Sequence, residues 1–332
     1  AWLSFIAEEL QTTIPVRLVK GAYWDTEIKL AQQQGLNDYP VYTLKQVTDL
    51  SYQLCAQYLL SEQCPLLKPQ FASHNASSIS QVISLSQQSC EPLEFQRLHG
   101  MGEALYKEIL AQNTEALLRV YAPVGAHQQL LPYLVRRLLE NGANSAFILQ
   151  QFDSSISPEQ LTETPLEQLQ ALDLKRNPSI PLPTDLYQPN RENSAGVILD
   201  SQQQVAQLLE RIEPFMDHQW QAAALINGEP IRSQPAIITV SPFDLSLPTG
   251  QLFNATEEDV REAYAVTRAG FINWNNRPVT ARAMIIKRFA LLLEEHREEL
   301  IALCLREAGK TLKDAINEIR EAIDFCYYYA HE

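Results

Sequence analysis

Along the first 150 residues, apolar positions fall into short runs that stop at polar, aromatic or glycine residues, each followed by a stretch with helical spacing. Four of these runs read as strands: Val16–Trp24, Pro69–Asn75, Phe95–Glu103 and Leu118–Gly125. Helical patterns lie between them at Val41–Leu60, Ser78–Gln88 and Glu103–Gln112. Strands alternating with helices predict parallel pairing through crossover connections, and so an α/β fold. Polar residues gathered at the C-terminal ends of successive strands are the habit of a (β/α)8 barrel, whose reactive face lies there. Four strand–helix units make half of such a barrel, too few to close its sheet.

From Phe152 to Asn190 the texture changes. Ser154-Ser155-Ile156-Ser157-Pro158 and Asn177-Pro178-Ser179-Ile180-Pro181-Leu182-Pro183 flank a short helical stretch. Prolines at that density stop helices and central strands, so the segment reads as a connector. Beyond it, Val197–Leu199 and Ile237–Val240 read as short strands, and Ile226-Asn227-Gly228-Glu229 as a hairpin turn. Thr256, with Asp259 three residues on, forms a capping box. A long amphipathic helix is expected over Ala281–Glu294, and the run Glu298–Tyr329 as two helices broken near Gly309.

Composition narrows the class. A chain of 332 residues has room for about two domains. Hydrophobic residues at 45% and charged residues at 20% fit a globular protein and exclude disorder. No apolar run reaches the ~18–20 residues of a membrane span. The opening Ala1-Trp2-Leu3-Ser4-Phe5 has no basic region or small-residue cleavage site, so it is no signal peptide. Lacking an initiator Met, it reads as the interior of a longer chain. The net charge of −14 disfavours binding along a phosphate backbone. Most of that charge lies late: 10 basic residues face 13 acidic ones through residue 150, and 16 face 27 after it. Five cysteines, an odd number without a CxxC pair, read as reduced, buried thiols of a cytosolic protein rather than a disulfide frame or zinc site.

Two glycine motifs fail as nucleotide loops. Gly309-Lys310-Thr311 lacks the glycine five residues earlier, where Cys304 stands, and Gly100-Met101-Gly102 has Leu105 where the third glycine belongs. Arg17 and Lys20 share an apolar strand that ends in Tyr23 and Trp24. Such charges cost several kcal/mol when buried unpaired, so they form either an interior ion pair or a cationic wall for an anionic or electron-rich ligand. His74 and His99 each stand at a strand end, either as hydrogen-bonded structural histidines or as site residues. On the helical pattern Leu130–Asn141, Glu140 is four residues from Arg136 and three from Arg137. That spacing makes either a surface salt bridge or two guanidinium groups held by one carboxylate as a fork for a substrate carboxylate. Tyr121, at the preceding strand end, could pack over the same ligand.

Four motifs carry a resemblance. Arg-Leu-Val-Lys-Gly-Ala-Tyr-Trp at 17–24, Phe-Ala-Ser-His-Asn-Ala at 71–76, Leu-His-Gly-Met-Gly-Glu at 98–103 and Tyr-Leu-Val-Arg-Arg-Leu-Leu-Glu-Asn at 133–141 resemble the proline dehydrogenase barrel of the bacterial bifunctional proline utilisation A flavoenzymes. Arg-Glu-Ala-Gly-Lys-Thr-Leu at 306–312 and Glu-Ile-Arg-Glu-Ala-Ile-Asp-Phe at 318–325 resemble the start of their second domain, a pyrroline-5-carboxylate dehydrogenase of the aldehyde dehydrogenase superfamily. The resemblance implies the second half of an FAD-binding (β/α)8 barrel at 1–151, a proline-rich linker at 152–190, and the truncated N-terminal part of an aldehyde-dehydrogenase-like α/β domain at 191–332.

The same resemblance implies residue roles. Arg17 would approach the flavin N5 and Lys20 the FAD phosphate and ribityl region. Gly21 and Ala22 let the backbone come close, and Trp24 and Thr43 border the adenine. Ser73, His74 and Asn75 hold the FAD; Ser73 stands where the family often has Thr and keeps the hydroxyl. Tyr23, Leu98 and Tyr121 wall the proline ring, while Arg136 and Arg137 grip its carboxylate and Glu140 orients them. The implied reaction is hydride transfer from L-proline to FAD, giving pyrroline-5-carboxylate, then NAD-dependent oxidation to L-glutamate in the parent. A quinone acceptor at the membrane surface, a cytoplasmic location peripheral on the inner membrane, and a homo-oligomeric parent belong to the same expectation; a nucleic-acid partner and a metal do not. The family's first four strands and the nicotinamide-binding core with its cysteine nucleophile have no counterpart here. Cys304 and Cys326 read as packing residues. The alternative is therefore a catalytically silent piece that acts through unpaired strand edges and exposed apolar faces.

Overall fold

A computed structural model describes residues 2–21, 23–86, 93–112, 115–135, 163–172 and 175–332. The chain divides into two compact units, Ala1–Thr26 with Val41–Ile180, and Glu27–Pro40 with Pro181–Glu332.

The first unit contains α1 (Trp2–Glu9), β1 (Ile14–Leu18), the start of α2 (Trp24–Gln34), α3 (Lys45–Leu59), β2 (Leu67–Ala72), α4 (Ala76–Ser86), β3 (Glu94–Leu98), α5 (Glu103–Gln112), β4 (Leu117–Tyr121) and α6 (Pro165–Leu172). The strands lie in chain order β1-β2-β3-β4, and every neighbouring pair is parallel. Side chains alternate between faces with period two. Leu18, Phe71, Phe95 and Leu118 share one row of the register and pack with Tyr52, Ala56, Ile79, Val82, Tyr106 and Ile109 from α3, α4 and α5. Phe71 and Phe95 are wholly buried, each worth roughly 1.5–3 kcal/mol. The opposite face is polar: Arg17, Gln70 and Glu94 are in register, as are Gln96 and Arg119.

The four strands are shorter than the apolar runs suggested, because the chain leaves the ladder before the last residues of each run. β1 stops at Leu18; Gly21 takes a φ of +70°, and Trp24 opens α2 instead of ending a strand. β2 gives way where Asn75 Oδ1 accepts the Ser78 backbone N–H at 3.0 Å and caps α4. After β3, Gly100 and Gly102 sit at φ +81° and +66°, conformations that glycine adopts without a Cβ penalty.

The second unit contains α7 (Gln202–Ile212), β5 (Trp220–Ile226), β6 (Glu229–Ile231), β7 (Ile237–Val240), β8 (Pro248–Phe253), α8 (Glu257–Asn275), α9 (Val279–Glu295), α10 (Arg297–Ala308) and α11 (Leu312–His331). Its sheet runs β6-β5-β8-β7, with only β5 and β8 parallel. The hairpin turn is where expected, with Asn227 and Gly228 at φ +53° and +86°. The expected capping box of Thr256 and Asp259 is present, and Gly309 ends α10 at φ +62°. Gly309-Lys310-Thr311 is thus a helix junction. Val197–Leu199 is no strand: no ladder reaches it, and the Ile198 N–H is taken by Gln204 Oε1. The sequence pattern did not reveal α7 or β8. A core of Leu208, Ile212, Ala290, Ile301, Ala302, Ala315, Ile316, Ile319 and Ile323 holds the helices together. Among the described residues no helix is long and apolar enough to cross a membrane.

Candidate active site

The polar face of the first sheet is concave. Three strand spacings separate β1 from β4, about 14 Å across a flat sheet. The Arg17 guanidinium nevertheless lies 4.7 Å from the Tyr121 ring centroid, in cation–π contact. Leu98 is opposite Tyr121 in the register and nearly fully buried. Arg17, Leu98 and Tyr121 are therefore brought together on this face. Arg17 is exposed, and among the described residues no carboxylate pairs with it.

Deeper on this face, Arg119 donates to Glu94 from Nε and Nη2 at 2.8 and 3.2 Å, and the buried Gln96 amide donates to Glu94 Oε1 at 2.9 Å. The Arg119 hydrogen bond holds the Glu94 carboxyl below its ordinary value against the opposing effect of burial, with Gln96 and Gln70 adding to it. Sequence reasoning passed over these residues. The alternation of Phe95 with Glu94 and Gln96 was the available signal.

At the rim, the strand-end residues are organised by hydrogen bonds. The Leu98 N–H donates to His74 Nε2 at 3.1 Å, which makes His74 an acceptor there and places any ring proton on Nδ1. The Tyr106 hydroxyl donates to the Ser73 carbonyl at 2.6 Å, and burial pushes its pKa far up. Gly102 leaves the room that His74 occupies: a Cβ there would stand 3.1 Å from His74 Cδ2. The Ser73 Oγ accepts the Asn75 N–H. His99 is exposed, and its backbone N–H donates to the Tyr121 carbonyl.

Lys20 takes the ion-pair option, outside the sheet. Its Nζ donates to Ser78 Oγ at 2.7 Å, pairs with Asp49 Oδ1 at 2.8 Å and lies 5.2 Å from the Tyr52 ring centroid. Ser78 Oγ is in turn 3.3 Å from Asn75 Oδ1, so Lys20 and Asn75 are joined through a serine. Asp49 and Ser78 sit on different helices, and no spacing rule could have named them. Trp24 Nε1 donates to the Tyr42 carbonyl, Thr43 Oγ1 accepts the Asn177 N–H, and Tyr23 is exposed. Ala22, Arg136, Arg137 and Glu140 lie outside the described residues.

Residues 1–150 match the proline dehydrogenase family and residues 231–332 the aldehyde dehydrogenase family. The bifunctional protein PutA of Salmonella typhimurium is 41% identical over 99% of this chain, which spans 26% of that relative's length. A crystal structure of a Bradyrhizobium japonicum proline utilization A mutant shares 41% identity at a TM-score of 0.75, covering 99% of this chain and 30% of its own. The 1-pyrroline-5-carboxylate dehydrogenase 2 of Bacillus subtilis is 31% identical over 108 residues, 32% of this chain. The chain spans about a quarter of the length of the PutA relatives it matches. By sequence and by fold, the chain is similar to part of the bifunctional PutA proteins, with a stretch that matches the proline dehydrogenase family followed by one that matches the aldehyde dehydrogenase family.

Proposed function

We propose that the first unit is the second half of a (β/α)8 proline dehydrogenase barrel, and that the protein it belongs to oxidises L-proline to pyrroline-5-carboxylate with FAD, then to L-glutamate with NAD. The observation that carries this reading is the meeting of Arg17, Leu98 and Tyr121 on a concave polar face at the strand C-terminal ends. A flavin fits the residues present. Arg17 offers guanidinium N–H groups that no carboxylate occupies among the described residues. At Gly21 and Gly100 the backbone is open, with nothing within 4 Å of where a Cβ would be.

FAD, when bound, supplies the hydride acceptor. Arg17 would donate to its redox-active ring edge, while Gly21, Ala22, Ser73, His74 and Asn75 line its approach with backbone and short side chains. Lys20, held by Asp49 and Ser78, would present its remaining N–H toward the phosphate side, with Trp24 and Thr43 at the adenine. Leu98, Tyr121 and Tyr23 would enclose the proline ring, Tyr121 being oriented by the Arg17 charge over its face. Arg136 and Arg137 would bind the carboxylate with Glu140 orienting them, which fixes the ring for transfer. On the same reading, electrons pass to a quinone at the membrane surface, and the parent is cytoplasmic, peripheral on the inner membrane and homo-oligomeric.

Titrating the chain with FAD, followed by flavin fluorescence, and then adding L-proline without oxygen tests this reading. Saturable binding, bleaching by proline and an affinity at least about tenfold weaker in Arg17→Ala are expected. A chain that takes up no flavin, or whose flavin proline leaves oxidised, overturns it. Such a colourless chain is what the silent reading requires. That reading is favoured by the unpaired outer edges of β1 and β4 among the described residues.

A further inference from the structure

The boundary between the two units does not follow the family boundary. Residues 27–40 lie inside the stretch that matches proline dehydrogenase, yet they group with residues 181–332. Ile28, Ala31, Leu36 and Tyr39 of this segment are buried. We propose that residues 27–40 are a docking element, by which the proline dehydrogenase part of the sequence is built into the aldehyde dehydrogenase part, with Arg320 of α11 as its clasp.

What residues 27–40 offer to the contact is mostly backbone carbonyl oxygen, met by side-chain donors and the Gly196 N–H. Arg320 is buried, and its guanidinium donates from Nη1 to the Gln33 carbonyl at 3.1 Å and from Nε to the Ser194 carbonyl at 3.2 Å. Residues 193–196 bridge the two sides. The Asn193 amide donates to the Gln32 and Pro183 carbonyls, and the Gly196 N–H donates to the Gly35 carbonyl at 2.7 Å. Asp324, one turn beyond Arg320, fixes that bridge by accepting the Ser194 N–H at 2.8 Å and the Ser194 hydroxyl at 3.0 Å. The Tyr39 hydroxyl closes the far end by donating to the Pro181 carbonyl at 2.7 Å.

Two glycines make the fit possible. Gly35 ends α2 at φ +61°, and a Cβ on it would overlap both the Arg320 guanidinium and the Ser194 carbonyl oxygen. A Cβ on Gly196 would overlap the Gln34 carbonyl oxygen. A planar fork reaching two carbonyls is a task lysine cannot repeat. A buried guanidinium also loses heavily if those acceptors leave, so the segment and the clasp should open together.

Native-state hydrogen exchange of the full chain in increasing urea tests this without any substitution. Amides of 28–36 should share one opening isotherm with 312–323, separate from that of 67–72 and 94–98. Arg320→Lys should then speed exchange at 28–36 and at Gly196 at least tenfold while leaving 67–72 unchanged. An isotherm that 28–36 shares with 67–72, one isotherm common to all three, unprotected 28–36 beside a protected 312–323, or 28–36 rates unmoved in Arg320→Lys would each overturn the proposal. These outcomes are independent of flavin or proline.

Discussion

Burial draws the Lys20 ammonium below its ordinary pKa even though Asp49, at 2.8 Å, pulls the other way. For Asp49, burial alone would raise the carboxyl, but Lys20 and Lys45 together hold it low. The signs differ. The unfolded chain keeps the Lys20 proton longer, so stability from that group rises with pH between its folded value and about 10.4. Asp49 contributes above the ordinary carboxylate range and loses its contribution as pH falls below it. Asp49→Asn should cost about 1–3 kcal/mol in urea unfolding at pH 7, with the gap from the parent narrowing toward pH 3. Replacing both partners, Lys20→Met with Asp49→Leu, should cost less than Asp49→Asn alone, because no charge is then stranded. Glu94 is the milder case. Its partner Arg119 is two-thirds exposed, so Glu94→Gln should cost under about 1 kcal/mol at pH 7 and nothing once Glu94 is protonated in the parent.

At the scale of elements, most helices and strands were legible because their signals are local. Glu103–Gln112, the Asn227-Gly228 turn and the break at Gly309 all lie where the spacing and turn chemistry put them. The four strands were overextended at one end for a common reason. Apolar and aromatic residues continue past the last ladder pair, and a composition-based reading cannot see that the φ of Gly21 or Gly100 has already turned the chain. Val197–Leu199 failed differently, for an apolar run packs on a core equally well as coil. Thr256→Ala removes the side-chain acceptor of the Asp259 N–H and should lower stability by about 1 kcal/mol, read as the thermal midpoint of the second unit. Gly309→Ala should cost about 1–2 kcal/mol. The left-handed φ is strained for alanine, and its Cβ would stand 3.0 Å from Pro242 Cγ.

At the scale of the molecule, and among the described residues, the core around Phe71 and Phe95 shares no residue with the core around Ile301 and Ile319, which predicts unfolding that is not two-state. Calorimetry should give an enthalpy larger than its van't Hoff value, and equality of the two would contradict that. Much apolar surface on α8 and α9 also stays uncovered, including Tyr264, Phe271, Ile272, Met284 and Phe289. Patches of that kind bind hydrophobic dyes and self-associate, so Ile272→Glu with Phe289→Glu should reduce light scattering at high concentration without lowering the melting temperature. The sequence by itself determined the alternation of strands and helices in the first unit, the Thr256 capping box, the Asn227-Gly228 turn, the parallel class of the first sheet and the four motifs that carry the resemblance. Each of these depends on residues within a few positions of one another. Only the tertiary structure decided that Arg17 meets Tyr121 across the sheet, that Lys20 turns outward to Asp49 and Ser78, and that residues 27–40 join the second unit. The first two need side chains brought together from distant strands and helices. The third rests on carbonyl oxygens, which every residue carries and no residue type announces.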